Sequence, residues 1–287
     1  MRHLFKRIAW ITVIAVVVIA VMGLAVLLIE GRAAPDQSGE YVALGSSFAA
    51  GPGLGALAPG SPHACWRTIG NYPHQLARAT GLRLVDVSCG GATARNILEG
   101  GPFFQRPQIE SVGTSARLVT ITIGGNDVDY VGDLGLLAYR ARGGLLGSLL
   151  RIAWKGPRPA DARPFDELVG RLIDVVAAVR QRAPRATVVL VTYPQILPRR
   201  GTCAGIEITG QEVSSMREVG RRLAQATSVA ASRAGALLVD MASESEGHDA
   251  CSDDPWVNGS SPHDGAMFHP TLAGSRATAS SLAQLVH

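Results

Sequence analysis

Lysine is almost missing from this chain. Only Lys6 and Lys155 occur among 287 residues, so arginine carries the basic charge. That preference reflects base composition rather than function. Charged residues are sparse at 17% and aromatic residues at 5%. The formal charge is +4, but residues 1–34 hold Arg2, Lys6, Arg7 and Arg32 against Glu30. Setting these aside reduces 27 basic and 23 acidic side chains to 23 and 22. A body this close to neutral lacks the basic surface that nucleic-acid binding requires. No CxxC or HxxxH spacing occurs, which argues against a zinc site. Internal repeats and low-complexity tracts are also missing. With 47% hydrophobic residues, the chain has enough apolar side chains for a sizeable core, which excludes disorder.

What is present begins at the N-terminus. Arg2, His3, Lys6 and Arg7 precede an apolar run from Ile8 to Ile29, broken only by Thr12 and Gly23. At about 1.5 Å per residue such a run spans a hydrocarbon core of about 30 Å. Basic residues ahead of it predict a cytoplasmic segment 1–7, a signal-anchor over 8–29 and an exported remainder. The run is longer than a typical cleavable signal, although cleavage near Ala33-Ala34 is the alternative. A buried core helix would need apolar partners on every face. Residues 30–39, EGRAAPDQSG, read as a polar linker before one domain over 40–287.

That domain alternates strands and helices. Strands are expected at Tyr41–Gly45, Leu82–Val87, Leu118–Ile123, Thr187–Thr192 and Ala236–Asp240. Several are unbroken apolar runs, as in strands covered on both faces. Helices are expected near 71–80, 164–182, 211–234 and from Pro270 to about Val286. In 164–182, Phe165, Leu168, Val169, Leu172, Val176 and Val179 share one face. Strand–helix alternation implies a parallel sheet with helices on both sides. In such sheets ligands bind at the carboxyl ends of the strands.

Reactive residues fall at those ends. The first strand runs into Gly45-Ser46-Ser47. The second leads to Ser88-Cys89-Gly90-Gly91, where a glycine N–H near a helix start is a candidate oxyanion donor. The third ends at Gly124-Gly125-Asn126-Asp127, where an Asn amide can donate to a developing oxyanion. Phe268-His269-Pro270 opens the last helix, with Pro suited to its first turn. Singly, these are a turn serine, an Asn-Asp turn and a loop histidine. Together they supply a hydroxyl, two donors and the usual base that turns a serine into a nucleophile.

The ordered blocks YVALGSSFAAGPG, DVSCGGATA, ITIGGND and FHPTLAGSRA resemble the SGNH hydrolases, also called GDSL lipases and esterases. The pattern is most similar to the secreted actinobacterial branch, over roughly residues 40–286. The resemblance implies a flavodoxin-like three-layer α/β/α sandwich with a five-stranded parallel sheet in the order 2-1-3-4-5. It implies Ser47 as nucleophile, Ser47, Gly91 and Asn126 as oxyanion hole, and His269 as base. It also implies disulfides Cys65–Cys89 and Cys203–Cys251, and no metal or cofactor.

Two departures stand out. The family's Gly-Asp-Ser is Gly45-Ser46-Ser47 here, which puts Ser46 at the missing Asp. The family's triad acid lies three residues before the histidine, and Ala266 occupies that place. Three groups remain to orient His269: Asp264, a backbone carbonyl near Ala266, or Asp253 or Asp254. A further stretch, 131–160, is long for a connection in a compact α/β unit. Leu145, Leu146, Leu149, Leu150, Ala153 and Trp154 form an apolar helical face there, flanked by Arg151 and Lys155. It reads either as a lid or acyl platform touching a membrane surface, or as another core helix.

The functional expectation is an exported carboxylic ester hydrolase acting through an acyl-Ser47 intermediate on lipid or short-chain acyl esters. Its expected partners are an ester substrate and a membrane through residues 8–29. The alternatives are a cell-wall carbohydrate deacetylase, an acyltransferase, or a tethered binding protein without catalysis.

Overall fold

The computed structural model describes residues 2–286. Met1, His287 and the side chains of residues 2–6, 8 and 9 lie outside what is described, and with them most of the basic segment 1–7. Helix α1 (Arg2–Gly31) contains a stretch Trp10–Gly31 with mean hydropathy 3.1, exposed over most of its length and buried only at its last residue, Gly31. By length and composition it can cross a membrane.

Five strands follow: β1 (Tyr41–Gly45), β2 (Leu84–Asp86), β3 (Leu118–Thr122), β4 (Thr187–Val191) and β5 (Leu237–Val239). They form one parallel sheet in the order β2-β1-β3-β4-β5. β2 and β5 are shorter than their apolar runs. Each is an edge strand with a ladder on one side only, so its ends lack a second partner.

The helices are α2 (Ser47–Ala50), α3 (Tyr72–Thr80), α4 (Ala94–Glu99), α5 (Tyr130–Arg142), α6 (Gly144–Ala153), α7 (Phe165–Arg182), α8 (Gly210–Ala234), α9 (Met241–Glu244) and α10 (Leu272–Ala283). Side chains alternate across the sheet because successive strand residues face opposite ways. Val42, Leu44, Val119, Ile121, Val188 and Leu190 pack with Leu168, Leu172 and Val176 of α7 and Val219 and Leu223 of α8. Tyr41, Ala43, Leu118, Val189 and Val191 pack on the other side with Tyr72 and Leu76 of α3 and Ala279 and Leu282 of α10. All six apolar residues expected on one face of α7 are buried. The result is the expected three-layer α/β/α sandwich.

The stretch after β3 folds as α5 and α6. Only Gly147 of α6 is buried, while Leu145 is 82% and Ile152 87% exposed. Leu146 and Leu149 are exposed as well. A core helix is therefore the wrong reading of α6, whose apolar face points outward, whereas α5 buries Leu134, Leu137 and Ala138. Trp154 lies under the Arg140 guanidinium, 5.1 Å from ring centre to carbon, and α6 packs on α5.

Two disulfides join Cys65 to Cys89 and Cys203 to Cys251. The first closes a 24-residue separation, for which loop-closure entropy predicts about 3.5 kcal/mol of stabilisation.

Candidate active site

Gly45 ends β1, and Ser46 caps the short helix α2 that Ser47 begins. The strand end is held by Gln108, whose side-chain carbonyl accepts from Gly45 N at 2.8 Å and whose amide donates to Gly45 O at 2.9 Å. Ser47 is thus fixed on a rigid turn. Its Oγ lies 2.7 Å from His269 Nε2.

His269 comes from the loop before α10. Asn258 N donates to its carbonyl at 2.9 Å, and its own N–H donates to Ala266 O at 3.2 Å. Phe268, fully buried with φ 57°, reverses the backbone at this point. That reversal brings Met267 O within 2.8 Å of His269 Nδ1. A carbonyl only accepts, so Nδ1 must carry the proton. Nε2 of the neutral ring is then the lone-pair nitrogen, and it faces the Ser47 hydroxyl. Burial pushes the His269 pKa below its ordinary value, with the Met267 bond opposing in part. The imidazole is therefore uncharged at neutral pH, as a base must be.

The three candidate oxyanion donors each keep a free N–H. Ser47 is the first residue of α2, so its N–H has no partner within the helix. Gly91 adopts φ 78°, a left-handed conformation that glycine takes without strain. Among the described residues no protein acceptor meets its N–H. Asn126 donates one amide hydrogen to Ala92 O at 2.8 Å, which leaves the second available. Asp127, its neighbour, accepts from Ala94 N at 3.0 Å and ties the β3 end to the start of α4. Burial raises the Asp127 pKa, and the Ala94 bond opposes it. Among the described residues no three His, Cys, Asp or Glu side chains converge as a metal site.

A profile of the GDSL-like lipase/acylhydrolase family matches residues 43–277. Lipase 2 of Streptomyces coelicolor is 32% identical over 94% of each chain. The chain belongs to the GDSL-like lipase/acylhydrolase family. The crystal structure of phospholipase A1 from Streptomyces albidoflavus superposes with a TM-score of 0.66 at 28% identity, covering 87% of this chain and 99% of that one. The extracellular lipase of Streptomyces rimosus gives 0.68 at 28% identity, covering 85% and 98%. The chain is a lipase/esterase-type GDSL hydrolase.

The hydrolase corrects one expectation about its histidine. Asp264 does not reach the imidazole. Its carboxylate accepts from Leu272 N at 2.8 Å, satisfying one of the free N–H groups in the first turn of α10. Asp254 is engaged elsewhere, its carbonyl accepting from His248 Nδ1 at 2.8 Å. Of the three alternatives the backbone carbonyl is the one present, and it belongs to Met267.

Ser46, at the position of the family's Asp, is buried and its Oγ lies 2.6 Å from Tyr193 OH. Tyr193 also accepts from Gly125 N at 3.3 Å and stacks on Phe48 with ring centres 3.9 Å apart. A Cβ at Gly125 would stand 2.5 Å from the Tyr193 ring, so only glycine fits there. Phe48 in turn lies 5.1 Å from the His269 ring. Tyr193 and Gln108 were not singled out from sequence. Tyr193 lies two residues past β4, as Ser47, Gly91 and Asn126 also follow strands, and that position was its available signal. A groove of about 720 Å³ behind Tyr193 includes neither Ser47 nor His269, so it is not the reaction site.

Proposed function

We propose that this hydrolase cleaves carboxylic esters of lipid acyl chains through an acyl-Ser47 intermediate, on the extracytoplasmic side of a membrane crossed by α1. The observation that carries this reading is the 2.7 Å contact of Ser47 Oγ with an Nε2 left unprotonated by the Nδ1–H bond to Met267.

Ser47 Oγ attacks the ester carbonyl while its proton passes to Nε2. The oxyanion forms against the N–H groups of Ser47 and Gly91 and the Asn126 amide, which are already oriented. The imidazolium then protonates the leaving alcohol, and water repeats the sequence on the acyl-enzyme. The Met267 carbonyl dipole steadies the imidazolium and fixes its tautomer, the two tasks a triad acid performs. The relatives described as lipases, and a structural neighbour described as a phospholipase A1, support acyl lipids as substrate.

The test is labelling by a fluorophosphonate probe. Wild type should be labelled and Ser47→Ala should not. Failure of the oxidised wild type to react would leave a tethered binding protein as the better reading. A panel of p-nitrophenyl acyl esters beside acetylated glycans tests the substrate class, and a preference for sugar acetates would overturn the lipid assignment.

A further inference from the structure

The end of α1 is clasped by the two loops that flank the candidate oxyanion glycine Gly91. Arg106 N donates to the Gly31 carbonyl at 3.0 Å. The Glu30 carboxylate meets His63 twice, at the backbone N (2.8 Å) and at Nδ1 (2.6 Å). Gly31 lies so near Phe103 and Phe104 that a Cβ there would stand 2.8 and 2.7 Å from their carbonyl oxygens. Residues 32–39 then lie along the body: Gln37 Nε2 donates to Glu110 O at 2.9 Å, and Arg83 Nε to Ser38 O at 2.7 Å. The helix exit is therefore held to one side of the catalytic body, not joined to it by a free tether.

The same loops carry exposed aromatic rings. Trp66 is 56%, Phe103 41% and Phe104 49% exposed. All three have left-handed backbones, with φ of 54°, 54° and 61°. For a bulky residue that conformation is strained, and such strain persists where function requires it. Leu57 and Ile69, also exposed, flank the Trp66 turn. The rim adjoins the chemistry. A Cβ on Gly90 would stand 3.3 Å from the Trp66 indole, and one on Gly91 3.9 Å from Pro102.

A helix that crosses a bilayer ends at its outer boundary, which is where aromatic side chains partition. We propose that Trp66, Phe103 and Phe104 seat in the same outer leaflet that α1 leaves, and that the site draws an ester lipid from that leaflet. This rests on the reading of Ser47 and His269 as ester-cleaving groups. The occupant is a lipid surface because the apolar rim is continuous with the end of a membrane-length helix. Contact at that level brings Gly91 toward the headgroup–acyl boundary, where ester bonds of membrane lipids lie.

The experiment uses the full chain in phosphatidylcholine vesicles. The double variant Phe103→Asn, Phe104→Asn removes the rings and keeps residues that tolerate a left-handed backbone. Fatty-acid release from bilayer phosphatidylcholine should fall at least about tenfold, the least that withdrawing even one of the two aromatic rings from an apolar phase amounts to. Hydrolysis of soluble p-nitrophenyl butyrate should be unchanged. An equal fall on both substrates, or no fall on either, overturns the proposal. A second readout needs no catalysis: bromine-labelled phosphatidylcholine should quench the part of the tryptophan emission that Trp66→Phe removes. Absence of that quenching overturns the docking. Quenching with no cleavage of either ester by wild type would remove the substrate assignment and leave the docking.

Discussion

At the scale of single residues, the histidine's partner has a consequence for pH. A carbonyl stabilises imidazolium less than a carboxylate does, and burial already disfavours the charged ring. The folded pKa of His269 therefore lies below the unfolded value of about 6.5. Protonation removes the base, so kcat/KM should hold to mildly acid pH and fall only as pH drops through the lowered pKa. A pH–rate profile checks this, and an acid limb at or above about 6.5 would refute it. The stability linkage has the same sign. The unfolded chain binds this proton first, so the contribution of His269 is complete above about 6.5 and is lost as pH falls through the folded pKa. Ser46 follows a similar logic. A carboxylate at this buried place would carry a charge that a single hydroxyl donor offsets only in part, whereas a neutral hydroxyl is satisfied by Tyr193 OH at 2.6 Å.

At the scale of elements, α6 leaves an apolar face exposed. It is linked to the active-site side through its neighbour α5: Arg142, in the last turn of α5, donates to the Ser260 carbonyl in the loop leading to His269. Leu145 and Ile152 together present a face that an acyl chain can lie on. Replacing both with serine should slow hydrolysis of long-chain esters and spare acetate esters. Equal losses on short and long chains would end the idea of an acyl platform. The disulfide Cys65–Cys89 acts at this scale too. It joins the turn that carries Trp66 to the loop that carries Gly91, and Gly90 N donates to Cys65 O at 3.1 Å.

At the scale of the whole molecule, the proposed anchor and the body should act together. The chain should stay in the membrane fraction after carbonate washing, with the body open to protease added outside. Recovery of a soluble body beginning near Ala33-Ala34 would show that α1 is removed. Much of this organisation was legible beforehand. The run Ile8–Ile29 marked the membrane-length helix, the strand–helix alternation marked the layers, and the resemblance of the four blocks implied the sheet order; Ser47, Gly91 and Asn126 follow strands in the chain and His269 precedes α10. What was not legible depended on distant contacts. Gln108 meets Gly45 across 63 residues and Tyr193 meets Ser46 across 147, so no local pattern marks either.

The sequence by itself determined the layers, because apolar periodicity decides which face of each element is buried. It also determined which residue types stand at the carboxyl edge of the sheet. Only the tertiary structure decided what orients His269. Counting residues pointed to Asp264 as one candidate, but the left-handed turn at Phe268 directs Met267 O to Nδ1 and leaves Asp264 to cap α10. A backbone carbonyl has no signature in a sequence, since every residue has one and only the fold decides where it points.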